Sequence, residues 1–148
     1  MYDDVLVPTD GSDTVSETLE HATAIAGNDD ATVHALYVVD QRITRAADRE
    51  MRSDLEDSLE AEGREAVEAV REHAEDAGLE TVGEIRHGTP SREILEYASE
   101  AGIDLIVIGT QGKTPREKVS TLGSVSERVV DGASIPVLVV RNPGEDVE

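Results

Sequence analysis

Apolar positions along this chain follow two alternating rhythms, short continuous runs and longer stretches spaced by three and four, and the alternation predicts an architecture. DVLVP, residues 4–8, is the first run. Ser12 and Asp13 then offer capping oxygens to a helix whose apolar positions are Val15, Leu19, Ala22, Ile25 and Ala26. After a polar turn at GNDD, residues 27–30, the run TVHALYVVD is β-branched and apolar through its middle, as a strand covered on both faces would be. From Arg45 to Ala77 the residues Met51, Leu55, Leu59, Val67, Val70 and Ala74 recur at helical multiples, with a break expected near Gly63 and a C-terminal cap at Gly78. A third strand is predicted around Thr81 to Arg86, and a helix follows from Pro90 through Ile94, Leu95 and Ala98 to Gly102. IDLIVIG, residues 103–109, is the most continuously apolar run. PVLVV, 136–140, is the last, and Leu122, Val125, Val129 and Val130 mark a helix between the two.

Five strands alternating with four helices imply right-handed crossovers and one α/β domain, an open, Rossmann-like, mainly parallel sheet with helices on both faces. That domain is assigned to residues 1–141, and the acidic tail NPGEDVE, 142–148, follows it. Open sheets of this kind bind ligands at the carboxyl ends of their strands, where the strand order reverses. The segments to inspect are therefore PTDGS, VVDQ, HGTP and GTQGKT.

Charge narrows the list of partners. Asp and Glu number 33 against 13 Lys plus Arg, a net charge of -20, and a field of that sign repels nucleic acid and anionic membranes. Lys113 and Lys118 are the only lysines, and with 2% aromatic residues the composition points to a halophile, where salt screens self-repulsion. There is no cysteine, which excludes disulfides and thiolate metal sites and fits a reducing compartment. No apolar run approaches the roughly 18 to 20 residues of a membrane span, and MYDDVLVPTD lacks the basic flank of a signal peptide. The expectation is a cytoplasmic protein.

The run GTQGKTPREKVSTLGS, 109–124, holds the most suggestive chemistry. It is not a Walker loop, because the position five before Gly112 is Val107, inside a strand. A shorter loop can still hold phosphate if its amides point inward and a helix N-terminus follows, as the helix opening at Gly123 and Ser124 would. The alternative is that Gly109 and Gly112 only supply positive φ, that Ser124 only caps and that Lys113 is a surface cation.

The sequence elements G109-TQ-G112, then after a spacer G123-S124-V125-S126-E127-R128-V129-V130, together with DDVLVPTDGSDTV and LIVIGTQG, resemble the nucleotide-binding signature of the universal stress protein family. The likeness spans almost the whole chain. It implies a sheet ordered 3-2-1-4-5, a homodimer through the last strand, and ATP at the strand ends. Carried over by position, Gly109, Gly112, Lys113, Thr114, Gly123, Ser124 and Val125 would enclose the phosphates, with Ser126 close behind. The main chain of Val38 would meet the adenine, and Pro8 and Asp10 would line the ribose. The family's spacer between the second and third glycines is usually about nine residues, and here KTPREKVSTL has ten.

Asp10 stands where the similar loop of ATP pyrophosphatases has a glycine, so its carboxylate would repel a pyrophosphate unless Mg2+ intervened. A ribose hydroxyl, Mg2+ or an Asx turn suits it better. His21, His34, His73 and His87 fall on separate elements without ligand spacing, and His34 is expected to pack within its strand. Glu56, Asp57, Glu60 and Glu62 read as a solvated helix face, and no nucleophile has an evident base. The sequence therefore reads as an ATP-binding, homodimeric regulatory module, with a nucleotide-free dimeric scaffold or a slow ATP-hydrolysing enzyme as alternatives. The last strand, Pro136 to Val140, is apolar on both faces and is the expected dimer edge.

Overall fold

A computed structural model of the chain describes residues 1–11, 15–110 and 124–141. Its elements run β1 (Asp4–Pro8), α1 (Val15–Asp29), β2 (Thr32–Asp40), α2 (Gln41–Ala46), α3 (Arg49–Asp76), β3 (Thr81–Gly88), α4 (Pro90–Glu100), β4 (Leu105–Gly109), α5 (Ser124–Gly132) and β5 (Val137–Val140). The five strands form one sheet in the order β3-β2-β1-β4-β5, every pair parallel. This is the doubly wound, Rossmann-like arrangement that the alternation predicts.

Alternate residues of the central strands feed two cores. Val5, Val7, Val33, Ala35 and Tyr37 pack with Leu19, Ala22 and Ala26 of α1 and with Val67, Val70 and Ala74 of α3. Leu6, Leu36, Ile106 and Ile108 pack on the other face with Ile94, Tyr97 and Ala98 of α4 and with Val129 of α5. Strands covered on both faces need apolar side chains at consecutive positions, which is why β1, β2 and β4 read as continuous runs. His34 sits inside this sheet as expected: its Nδ1 lies 2.7 Å from the Tyr97 hydroxyl and its Nε2 2.9 Å from Asp4 Oδ1. A carboxylate can only accept, so neutral His34 carries its proton on Nε2 and accepts from Tyr97.

Several boundaries differ from the sequence reading. The stretch 27–29 belongs to α1, which ends one residue before Asp30, at φ 55. The Ala31 N–H then returns to the Ala26 carbonyl at 3.0 Å. The same closure ends α3 at Gly78 (φ 84), with Leu79 N–H on Ala74, and α4 at Gly102 (φ 69), with Ile103 N–H on Ala98. Ile103 thus belongs to a helix cap, and β4 begins at Leu105. The helical stretch from Arg45 does not break at Gly63. It breaks at Ala47 and Asp48, leaving a separate α2, while α3 runs unbroken to Asp76. Gly63 answers a packing need: a Cβ there would stand 2.5 Å from the Tyr37 ring. β3 continues to Gly88, and β5 starts at Val137 because Pro136 has no N–H to give, although its carbonyl accepts from Ile106 at 3.1 Å.

Candidate functional site

The strand order reverses between β1 and β4, whose chains leave toward α1 on one face and toward α5 on the other. The cleft between two such departing connections is where a ligand can approach strand ends closely.

β1 closes its side with a tight turn. Thr9 donates its N–H to the Leu36 carbonyl at 2.9 Å, and its buried hydroxyl accepts from the Gly11 N–H at 3.1 Å, with Gly11 at φ 82. This turn leaves Pro8 half-buried and lifts Asp10 to an exposed tip. Sequence reading passed over Thr9, and its place one residue before an Asp-Gly pair was the available signal.

β2 outruns β1. Thr32 and Leu36 bond toward β1, whereas Val33 bonds toward β3, so even-numbered residues of β2 turn their peptide groups to the β1 side. Val38 is the next even residue, and β1 has ended at Pro8, opposite Leu36. Its N–H and C=O therefore face the space beyond the β1 terminus. Asp40 ends β2 and caps α2, accepting from the Arg42 N–H at 3.0 Å and from the Arg42 guanidinium at 3.0 and 2.7 Å. That guanidinium holds the Asp40 carboxyl below the usual carboxylate range. Beneath the turn, burial raises the Tyr37 phenol above its ordinary value, and the negative charge of Asp10 adds to the effect.

β4 ends at Gly109, and the Thr110 N–H bonds the Val140 carbonyl at 3.2 Å. Gly109 does not have positive φ, which corrects that part of the conformational reading. It is needed for space: a Cβ would stand 2.8 Å from the hydroxyl of Thr18, buried on α1. α5 opens at the same edge with Ser124 exposed, Val125 half-buried against the core and Ser126 buried and already engaged. Its first N–H groups lack partners within the helix, so they form an electropositive end.

The structure thus brings Pro8, Asp10, Val38, Gly109, Ser124, Val125 and Ser126 to one edge of the sheet. Gly112, Lys113, Thr114 and Gly123 lie outside the described residues. His87, within β3, reaches Glu60 of α3 at 2.7 Å, so its ring turns to that helix, and Glu60 is more than a solvated carboxylate. Among the described residues no group of three His, Asp or Glu side chains could hold a metal ion. No helix among them is long and apolar enough to cross a membrane.

The universal stress protein MJ0531 of Methanocaldococcus jannaschii is 42% identical over 150 residues, covering 99% of this chain and 86% of that protein. The solved structure of MJ0577 from the same organism has a TM-score of 0.84 at 35% identity, covering 95% of this chain and 96% of the other. Universal stress protein UspA from Lactobacillus plantarum gives a TM-score of 0.79 at 33% identity, covering 95% and 98%. With the model of the universal stress protein family also matching residues 1–141, the chain belongs to the universal stress protein family.

Proposed function

We propose that the chain binds ATP with Mg2+ at the β1/β4 edge and acts as a homodimeric regulatory module of the cytoplasm, without a dedicated catalytic step. The observation that carries this reading is the convergence of the free-facing main chain of Val38, Asp10 at the turn after β1, Gly109 and the N-terminus of α5. Each suits one part of a nucleotide: paired main-chain donor and acceptor for a base edge, a carboxylate for ribose hydroxyls, and helix amides for phosphate. Pro8 would line the ribose side, and Gly112, Lys113, Thr114, Gly123, Ser124, Val125 and Ser126 would surround or back the phosphates. Among the described residues no group of three His, Asp or Glu side chains could hold a metal ion, so Mg2+ would arrive with the triphosphate, which supplies most of its oxygens.

Mass spectrometry of nucleotide released from freshly purified protein, with calorimetry of MgATP binding, tests the reading. Gly123→Val adds a branched side chain ahead of α5 and should weaken binding more than about tenfold, roughly 1.4 kcal/mol, with the fold retained. A parent chain that carries no nucleotide and gives no heat favours the dimeric scaffold, for which the ten-residue spacer is the specific observation. Phosphate release above the uncatalysed background would instead favour an enzyme. The halophile reading predicts a melting midpoint that climbs between about 0.1 and 2 M KCl as screening relaxes the charge of -20. An unchanged midpoint discards it.

A further inference from the structure

α3 is much longer than the sheet it covers. Its 28 residues span about 42 Å, against about 26 Å for β3. Its buried residues are Gly63, Val67, Val70 and Ala74, all in the second half. Glu60 meets His87 near the end of β3, so the turns from Arg49 onward project past the carboxyl edge, where α2 joins them.

This projecting corner differs in charge from the rest of the molecule. Residues 40–52, DQRITRAADREMR, hold four arginines against Asp40, Asp48 and Glu50, a local +1 in a chain of net -20, with Arg42 engaged by Asp40. Elsewhere Arg64, Arg71 and Arg86 are each matched to glutamates, whereas Arg92 and Arg128 are single arginines on α4 and α5. Among the described residues Arg45, Arg49 and Arg52 have no carboxylate partner: Arg45 bonds the neutral Gln41 amide at 3.1 Å, and Arg52 bonds the carbonyls of Thr44, Arg45 and Ala47 at 3.2 to 3.4 Å. Those three bonds lock the turn between α2 and α3. The same segment exposes two large apolar side chains, Ile43 (51%) and Met51 (60%).

We propose that the α2–α3 corner docks an acidic peptide segment bearing apolar side chains, presented by a partner protein. Three unmatched guanidiniums clustered within eight residues on a strongly acidic surface give a short anionic segment a favourable landing place, and the surrounding field rejects longer polyanions. Ile43 and Met51 distinguish a peptide from a phosphate chain, since they give apolar anchors something to cover. A turn already fixed by Arg52 loses little freedom on binding.

A displayed library of random peptides of about twelve residues, selected against the whole chain at the lowest KCl that keeps it folded, tests this directly. The selected peptides should combine carboxylates with apolar residues, and a fluorescein-labelled copy should lose affinity more than about tenfold for the Arg45→Glu, Arg49→Glu double variant. Ile43→Ser should cost several-fold. Both changes lie on exposed side chains outside the proposed nucleotide site, so MgATP heat and melting midpoint should stay put, which separates this proposal from the one above. Recovery of no peptide, selection of peptides without carboxylates, equal binding by the double variant, or equal competition from an oligothymidylate of matched charge would each overturn it. A changed oligomeric mass in the double variant would overturn it too, by assigning the corner to a second copy.

Discussion

The sheet has two free edges, and they are built in opposite ways. β3 presents eight residues, and charges guard it on both faces. Arg86 holds Glu84 at 2.6 Å and Glu100 at 2.7 Å and lies 5.0 Å over the Tyr97 ring, while on the other face Arg71 reaches the Thr81 hydroxyl at 3.1 Å and His87 reaches Glu60. α3 also presses close at Gly83, where a Cβ would meet Val67 at 2.6 Å. β5 presents only four residues, VLVV, without a charge, and Val137, Leu138 and Val139 are left half-buried. Charged side chains on an edge discourage pairing with another sheet, and an apolar edge invites it. The difference marks β3 as the edge this fold protects from other chains and β5 as the open one, the edge that the proposed homodimer would use.

The largest test attacks the open edge. Val139→Asp should turn a dimer into a monomer in light scattering at high salt, with the far-ultraviolet circular dichroism of the parent. A folded variant that stays dimeric would move the interface elsewhere. The converse test opens the guarded edge: Glu84→Val with Arg86→Val should produce species larger than the dimer, because both edges are then adhesive. If that variant keeps the parent's mass, the charges on β3 do not serve as guards. The stability cost of this second change should be moderate, about 1–2 kcal/mol, since Glu84 is half-buried and Glu100 exposed, so that their pairs with Arg86 are partly screened.

The contrast between the edges also marks what could be read in advance. The apolar runs within 4–8, 32–40 and 103–109 announced strands because burial on two faces leaves no room for polar alternation. The caps at Gly78 and Gly102 were legible because glycine adopts positive φ freely. The equivalent cap at Asp30 was not, because an aspartate in a run of polar residues looks like any turn. Gly63 misled for the opposite reason: its cause is the Tyr37 ring, distant in sequence, and no local pattern reports such an approach. Gly109 belongs with it, answering to Thr18 of the helix packed against it rather than to its own dihedral angles. At the site, the strand-end residues were legible from topology, whereas the outward peptide of Val38 followed only once β1 was seen to stop at Pro8.

The smallest prediction asks whether edge charges stabilise the fold or chiefly guard it. Asp40 pairs in register with Gly88 at the end of the guarded edge, and it both caps α2 and holds Arg42. Asp40→Asn keeps a capping oxygen for the Arg42 N–H and removes the charge, so the loss isolates the ion pair from the cap. Arg42 is 58% exposed, which limits that loss to about 0.5 kcal/mol in chemical denaturation near pH 7. The pH dependence carries the sign. Because the folded carboxyl titrates below its unfolded value, its contribution is complete above the unfolded pKa, about 3.9, and is lost as pH falls through the depressed folded value. The gap between parent and Asp40→Asn should therefore be constant from about pH 5 to 7 and close on further acidification. A gap of several kcal/mol at neutral pH, or one that widens in acid, would mean that charges at this edge hold the fold together as well as warding off other strands.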